Sequence, residues 1–433
     1  MKVDIINKKN KIEGSTVVFH YAAASRCILV ALIFLWRTLI SPYDTSSSIN
    51  PACITPHGYP NAPNPSLRFP KIGSAIQNSV VWDSVYFLRI AECGYEYEQT
   101  YAFFPLLPLL ITFLSRTALF PLIPLIGYRA VLALAGYMVC NAAFIVSAVY
   151  FYRLSEIVLK NKVAAFRASI LFCFNPASIF YSSIYSESLY SLCFIGGLYH
   201  FSCRESNKAT LWWSLSSLAR SNGIINVGYF CYQAIHTLMH KTHVSVKLLL
   251  LLLPLRCLFV VSPFLAFQAY GYHKICFTEK SSPWCHKRIP LMYNYIQSEY
   301  WGNGFMRYYH FKQLPNFLLA SPILSLAVCS IIHFGRENAE DFSPLKLLTK
   351  KSRGLSLMVP CVIQLGFMIA TATLFMHVQV ATRFLSASPP IYWYAAYLMG
   401  SSVHVRSSYF IWAYSFVYVF IGSLLFSTFY PFT

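Results

Sequence analysis

The chain has 433 residues, 56% of them hydrophobic and 11% charged, with a mean hydropathy of +0.50 and a formal net charge of +19. This excludes a soluble globular enzyme and describes an all-α polytopic membrane protein. The positive charge lies in short stretches between apolar runs, where topology and anionic headgroups account for it without nucleic acid.

A bilayer core about 30 Å thick needs roughly 20 apolar residues per helical span. Residues 1–18, with Lys2, Lys8, Lys9 and Lys11, read as a cytosolic tail. The apolar run 17–40 has no small-residue cleavage site after it and reads as an uncleaved anchor. Residues 19–433 then form a single transmembrane domain. Residues 41–79 are rich in Pro, Asn and Ser and must lie in water. The run 103–126 is interrupted by Pro105, Pro108, Pro121 and Pro124, so it reads as a re-entrant or interfacial piece. Further spans are expected at 127–152, 163–182, 185–201, 246–270, 317–333, 355–376, 390–403 and 410–430, about nine with the first. The apolar region 211–240 contains Arg220-Ser221-Asn222-Gly223 and reads as a broken helix or a hairpin that does not cross.

Loop charge sets the orientation. Residues 1–18, 153–167 and 336–353 are short and basic and belong in the cytosol, which leaves 41–102 and 271–316 as luminal loops. The second of these also carries Lys274, Lys280, Lys287, Arg288, Arg307 and Lys312, so either the rule fails there or those cations have another task. Of 13 cysteines, none has zinc-type spacing; Cys53, Cys93, Cys276 and Cys285 fall in polar loops and can pair in an oxidising lumen, with the connectivity open.

Eight of the 15 carboxylates, Asp44, Asp83, Glu92, Glu96, Glu98, Glu187, Glu279 and Glu299, fall on the luminal side, most of them beside a span. An ion-driven transporter would hold acids near the bilayer centre. This distribution favours chemistry at the membrane surface. Read as a helix, Asp83 has Val80, Phe87, Ile90 and Ala91 on its own face. Desolvation there raises the carboxyl toward the range of a general base, or a partner must stabilise its charge. The competing reading is that Asp83 caps the helix it starts, and Glu92, Glu96 and Glu98 equally suit a solvated loop edge.

Further along, Asn175-Pro176 breaks one span just before Glu187 opens the next, which is either a capped kink or a site edge. Pro283-Trp284-Cys285 and Gln297, Tyr300 and Trp301 make an aromatic, amide-rich loop suited to a sugar or to the headgroup belt. In 377–384, Arg383 offers a planar donor fork suited to phosphate, or snorkels to headgroups. His377 alone is a weaker candidate.

Taken in order, Trp82-Asp83, Gly94-Tyr95, Ala102-Phe103-Phe104-Pro105, Asn175-Pro176-Ala177-Ser178-Ile179-Phe180, Tyr185-Ser186-Glu187, Arg220-Ser221-Asn222-Gly223, Pro283-Trp284-Cys285, Gln297, Tyr300-Trp301, Pro315-Asn316-Phe317, Gln379 to Arg383 and Tyr392-Trp393 form a series. It resembles the PIG-V family of GPI mannosyltransferases (GPI mannosyltransferase II), looks closest to fungal members, and covers nearly the whole chain from Val81. The resemblance implies an endoplasmic-reticulum enzyme of the GT-C fold with its active site on luminal loops. Such an enzyme adds the second mannose of the GPI core in α1,6 linkage, by inversion, from dolichyl phosphate mannose to a GPI precursor glycolipid. It uses no cofactor and no metal, and works with a small accessory membrane subunit. Many GT-C enzymes carry a D-x-D or E-x-D pair in the first luminal loop; this chain has no D-x-D and offers Asp83 and Glu96-Tyr97-Glu98 instead. Asp83 is the expected base, with Glu92 second. Trp82, Asn175, Glu187, Arg220, Gln297, Trp301, Gln379 and Arg383 are the expected donor- and acceptor-binding residues, and the loop cations of 271–316 join Arg383 as candidates for the phosphate. A lipid or sugar-lipid transporter and a non-catalytic scaffold subunit are the alternatives.

Overall fold

The structure, a computed structural model, describes residues 2–43, 53–54, 67–239, 246–277, 282–337 and 356–430. Asp44, Glu279, Lys280 and the basic stretch 338–355 lie outside the described residues. Among the described residues every regular element is helical. A chain dissolved in hydrocarbon must satisfy its backbone polar groups within each segment, and helices do so.

The first helix is α1 (Lys2–Leu39), so the expected tail is helical from Lys2 and continuous with the first apolar stretch. The loop 41–102 is not wholly irregular: it holds α2 (Pro70–Asn78) and α3 (Asp83–Cys93), both too short to span. The proline-dense run forms α4 (Leu106–Arg116) and α5 (Ile123–Ile126). Leu106–Arg116 and Phe120–Ile126 meet at a 69° bend, a broken span or a re-entrant loop, as proline at that density requires.

Next comes α6 (Tyr128–Leu159), and then the expected span 163–182 is split into α7 (Lys162–Cys173) and α8 (Ser178–Ser182). Pro176 makes the break, and Asn175 stabilises it: its Oδ1 accepts from Ala177 N at 2.8 Å and its Nδ2 donates to Phe172 O at 2.8 Å. The carbonyls freed there meet Arg26 of α1, which donates to Cys173 O at 3.1 Å and to Ser178 O at 2.9 Å and lies 3.9 Å above the Phe144 ring. A buried guanidinium in an apolar helix is costly unless its donors are filled. Here the broken helix fills them.

After α9 (Glu187–Ser202) and α10 (Ser206–Ala219), the region 211–240 is broken by a 3₁₀ turn, Ser221–Asn226, before α11 (Val227–Met239). The rest includes α12 (Val246–Cys276), α13 (Met292–Glu299), α14 (Leu314–Glu337), and helices Met358–Leu374, Ala381–Leu385, Pro389–Gly400, Val405–Val417 and Ser423–Ser427. Among the described residues, five helices are long and apolar enough to cross a membrane: Glu13–Leu39, Tyr128–Leu159, Leu251–Cys276, Phe311–Glu337 and Ser402–Ser427. The bent pair makes a sixth if it is one span, and Met358–Leu374 is a shorter apolar helix. Thus five or more apolar helices stand where nine spans were expected. The 12-residue helices Lys162–Cys173 and Pro389–Gly400 rise about 18 Å, short of the bilayer core.

Close helix contact rests on small residues. A Cβ on Gly197 would lie 2.2 Å from Trp213 Nε1, and one on Gly136 would lie 2.7 Å from Ile184. The first contact packs α9 against α10 and the second seats α6 against the turn before α9, with Glu187 at the start of α9 facing the cavity described next.

Candidate active site

Six segments of the chain line a cavity of about 290 Å³: the start of α3, residues 102–104, the start of α9, the turn after α10, α13 with the loop that follows it, and residues 376–383. Asp83, Glu187, Arg220, Gln297, Trp301, Gln379 and Arg383 all line it. Tyr185, from the Tyr185-Ser186-Glu187 block, lines it too, as do Tyr293 and Asn303, which the sequence did not single out.

Asp83 is held by the backbone. Trp82 is the N-cap of α3 with φ of +54°, a left-handed conformation that is costly for an aromatic residue and points to a site worth maintaining. The Asp83 N–H donates to Tyr185 Oη at 3.1 Å. Its side chain does not cap the helix; Oδ2 accepts from Arg383 Nη1 at 2.9 Å. Of the two outcomes open to an acid on an apolar face, the structure shows the charge partner.

Arg383 follows the 3₁₀ turn Val378–Val380 and sits between two acids, with its Nε 3.9 Å from Glu187 Oε1. Its guanidinium also faces the rings of Phe180 at 5.4 Å and Tyr185 at 5.7 Å. Burial opposes its charge, yet Asp83, Glu187 and Tyr185 outweigh burial and hold its pKa above the ordinary value. Glu187 is buried and pairs with Arg220 Nη1 at 2.5 Å, but neither carboxylate oxygen has an aligned hydrogen-bond donor. Arg383 Nε and Trp301 Nε1 are likewise buried without an acceptor. The charges therefore alternate, Asp83, Arg383, Glu187, Arg220, in one row; the unfilled Arg383 and Trp301 donors suit a polar anion, and the unfilled Glu187 oxygens suit hydroxyl groups.

Arg220 is placed by the turn behind it. Gly223 N donates to Arg220 O at 3.0 Å, and a Cβ on Gly223 would lie 2.4 Å from the Ser216 backbone, so only glycine lets the turn fold back. The facing wall is amide and aromatic. Asn303 Nδ2 donates to Gln297 Oε1 at 2.6 Å, and Tyr308 Oη donates to Gln379 Oε1 at 2.5 Å, so the oxygen of each cavity-lining glutamine is engaged within the wall. His377 Nε2 lies 2.9 Å from Trp301 O and holds the loop that carries the indole.

The remaining expected residues stand elsewhere. Glu92 does not line the cavity: both its oxygens accept from Arg129 Nε, at 2.9 and 3.2 Å. Asn175 is fully buried in the α7–α8 break. Trp82 lies behind Asp83, its Nε1 donating to Phe426 O at 3.0 Å. None of Lys274, Lys287, Arg288, Arg307 and Lys312 lines the cavity, so among the described residues the Lys and Arg side chains that line it are Arg220 and Arg383.

The other acids of 81–108 brace the loops: Glu96 within the first, Glu98 between the first and the second. Glu96 pairs with Arg89 at 2.6 Å. Glu98 accepts from Trp284 Nε1 at 2.6 Å and Tyr300 Oη at 2.7 Å, which joins the first loop to the second. Burial and the Glu98 carboxylate push the Tyr300 hydroxyl up to about 12, so it remains a donor at physiological pH. Two disulfides, Cys53–Cys93 and Cys276–Cys285, close the same two loops. Among the described residues, the one His, Cys, Asp and Glu group tight enough for a metal is Cys53, Cys93 and Glu96, and its two sulfurs are already bonded to each other.

Comparison with known proteins bears on this arrangement. The family described as Mannosyltransferase (PIG-V) matches residues 14–433. GPI alpha-1,6-mannosyltransferase 2 of Rattus norvegicus is 29% identical over 88% of this chain and 84% of its own. GPI mannosyltransferase 2 of Drosophila pseudoobscura is 32% identical, covering 81% and 86%, and that of Gibberella zeae is 28% identical over 98% of both chains. Animal and fungal relatives thus match at similar identity. Among solved structures, an Archaeoglobus fulgidus oligosaccharyltransferase aligns with 93% of this chain and about half (53%) of its own, with a TM-score of 0.44 and 13% identity.

Proposed function

The chain belongs to the PIG-V mannosyltransferase family, and on that premise we propose that it transfers the second mannose of the GPI core, α1,6-linked, from dolichyl phosphate mannose to a GPI precursor in the endoplasmic reticulum lumen. The observation that carries the reading is the pairing of a cavity-lining carboxylate, Asp83, with a guanidinium, Arg383, opposite an amide and aromatic wall. The first takes a proton, the second receives a phosphate, and the wall suits hydroxyls and the apolar face of a sugar.

The step is a single inversion. The 6-hydroxyl oxygen of the acceptor mannose attacks the anomeric carbon of the donor as its proton passes to Asp83. The new carbon–oxygen bond forms while the bond from that carbon to the lipid phosphate breaks, and its electron pair leaves on the phosphate oxygen. Arg383 and Arg220 are positioned to stabilise that charge, so the reaction as proposed routes no step through a metal. Asp83 returns its proton to water as products leave. One base suffices for inversion, which leaves Glu187 to hold the two guanidinium groups in place.

A GT-C architecture, with short helices completing about nine membrane passages, fits five long apolar helices separated by broken ones. A luminal position for the cavity is supported by the two disulfides on its loops, which persist in oxidising compartments. A small accessory membrane subunit belongs to the same proposal. In cells depleted of their own second mannosyltransferase, this chain is expected to clear the GPI precursor bearing one mannose; persistence of that precursor at normal protein level rejects the reading. Glu92→Gln is expected to leave turnover unchanged and to cost about 1 kcal/mol or less of stability, because its partly exposed pair with Arg129 lies outside the cavity. Parallel turnover and thermal-unfolding measurements check this.

A further inference from the structure

Asp83, Tyr185 and Arg383 also line a second cavity of about 80 Å³, whose other walls are Trp82, Phe180, Phe426 and Tyr430. The Asp83–Arg383 pair is therefore a partition. One side of it is the large cavity with its amides and charges, and the other is a small space walled by aromatic rings.

The small cavity lies where the first and last apolar helices end. Glu13–Leu39 and Ser402–Ser427 both finish beside it. Their ends are joined by Tyr43 N donating to Thr428 O at 2.9 Å, and the Tyr43 and Tyr430 rings lie 4.8 Å apart. Tyr43 is 67% exposed and Tyr430 is 40% exposed, the placement of tyrosines at headgroup level. A π turn, Tyr418–Gly422, precedes Phe426 in the last helix, and π turns are frequent at functional sites.

We propose that this aromatic cavity seats the phosphate end of a polyprenyl phosphate, with the phosphate on Arg383 and the first isoprene unit against Phe180, Phe426 and Tyr430, and that its arrival opens the Asp83–Arg383 pair. The inference rests on the lipid-borne donor proposed above. In-line inversion sets nucleophile and leaving group on opposite sides of the reacting carbon. A donor with its tail in the small cavity and its sugar in the large one must pass through the place the ion pair now fills. A phosphate can displace a carboxylate there, because the guanidinium fork matches its oxygens two at a time. Asp83 is thereby freed toward the acceptor only once the donor is seated.

The test uses the purified full chain in lipid nanodiscs with a short-chain polyprenyl phosphate carrying a diazirine on its first isoprene unit and no sugar. Photolabelling is expected at Trp82 and at 426–430, blocked by dolichyl phosphate but not by equimolar inorganic phosphate, and about tenfold weaker in Arg383→Ala. Labelling instead around Pro105, Pro108 and Phe267, which line a separate apolar cavity of about 400 Å³, overturns the inference. So does equal protection by inorganic phosphate. Mannose transfer from the authentic donor is read in the same preparation. Labelling at the aromatic cavity without transfer keeps the lipid seat and rejects the mannosyl-transfer reading; transfer with labelling elsewhere does the reverse.

Discussion

Asp83→Asn is expected to lower mannose transfer by about 10²- to 10⁴-fold, the usual contribution of a positioned general base, with little change in the amount of folded protein. Asparagine has the shape of the carboxylate and can still accept from Arg383 through its carbonyl oxygen, so the partition between the cavities remains. It cannot take the acceptor proton. Cells depending on the variant should accumulate the precursor with one mannose while detergent-extracted protein elutes normally on size exclusion. This outcome separates an enzyme from the scaffold alternative, since a scaffold tolerates the substitution. Glu92→Gln, measured beside it, controls for general effects of removing an acid from the same helix.

Arg383→Ala is the second large effect. It removes the donor group facing the leaving phosphate, and loss of one such group typically costs about 10²- to 10³-fold in turnover. It also leaves Asp83 without its partner at 2.9 Å and Glu187 without one of its two cations. Breaking a deeply buried pair costs about 3–5 kcal/mol; here the side chains are 21% and 25% exposed, so solvent screens part of that cost. Arg383→Lys should restore folding better than activity, because a point charge cannot face Asp83 and Glu187 with a planar fork. Combined with Asp83→Asn, Arg383→Ala should add far less than its single effect, since residues that act as a unit are not additive. Steady-state turnover of the four forms checks this, and full additivity would place the two residues in separate roles.

Much of the cavity was readable before any fold was known, because its parts lie in short polar blocks at the edges of apolar runs. Asp83, Glu187, Arg220, Gln297, Trp301, Gln379 and Arg383 stood out as polar groups beside spans, and the structure gathers them into one space. Their pairing was not readable: Asp83 and Arg383 are 300 residues apart. The same distance effect misplaced Glu92, whose partner Arg129 is 37 residues away on α6. The cations of the second loop were set against the phosphate by charge alone, and nothing in sequence shows that Lys274, Lys287, Arg288, Arg307 and Lys312 stay out of the cavity lining. Arg26 was not singled out in the sequence, and its role appears only when α1 is laid against the break at Pro176. Span count was the least legible feature, because mean hydropathy cannot tell a crossing helix from one interrupted every 12 to 17 residues, as in Lys162–Cys173 and Met358–Leu374.

The most direct measurement places purified wild-type protein and Asp83→Asn side by side in nanodiscs with labelled dolichyl phosphate mannose and a GPI precursor bearing one mannose. The expected result is a product with two mannoses, the new one α-linked, from the wild type and almost none from the variant. Equal product from both, or a β-linked mannose from the wild type, would contradict a single inverting step with Asp83 as its proton acceptor.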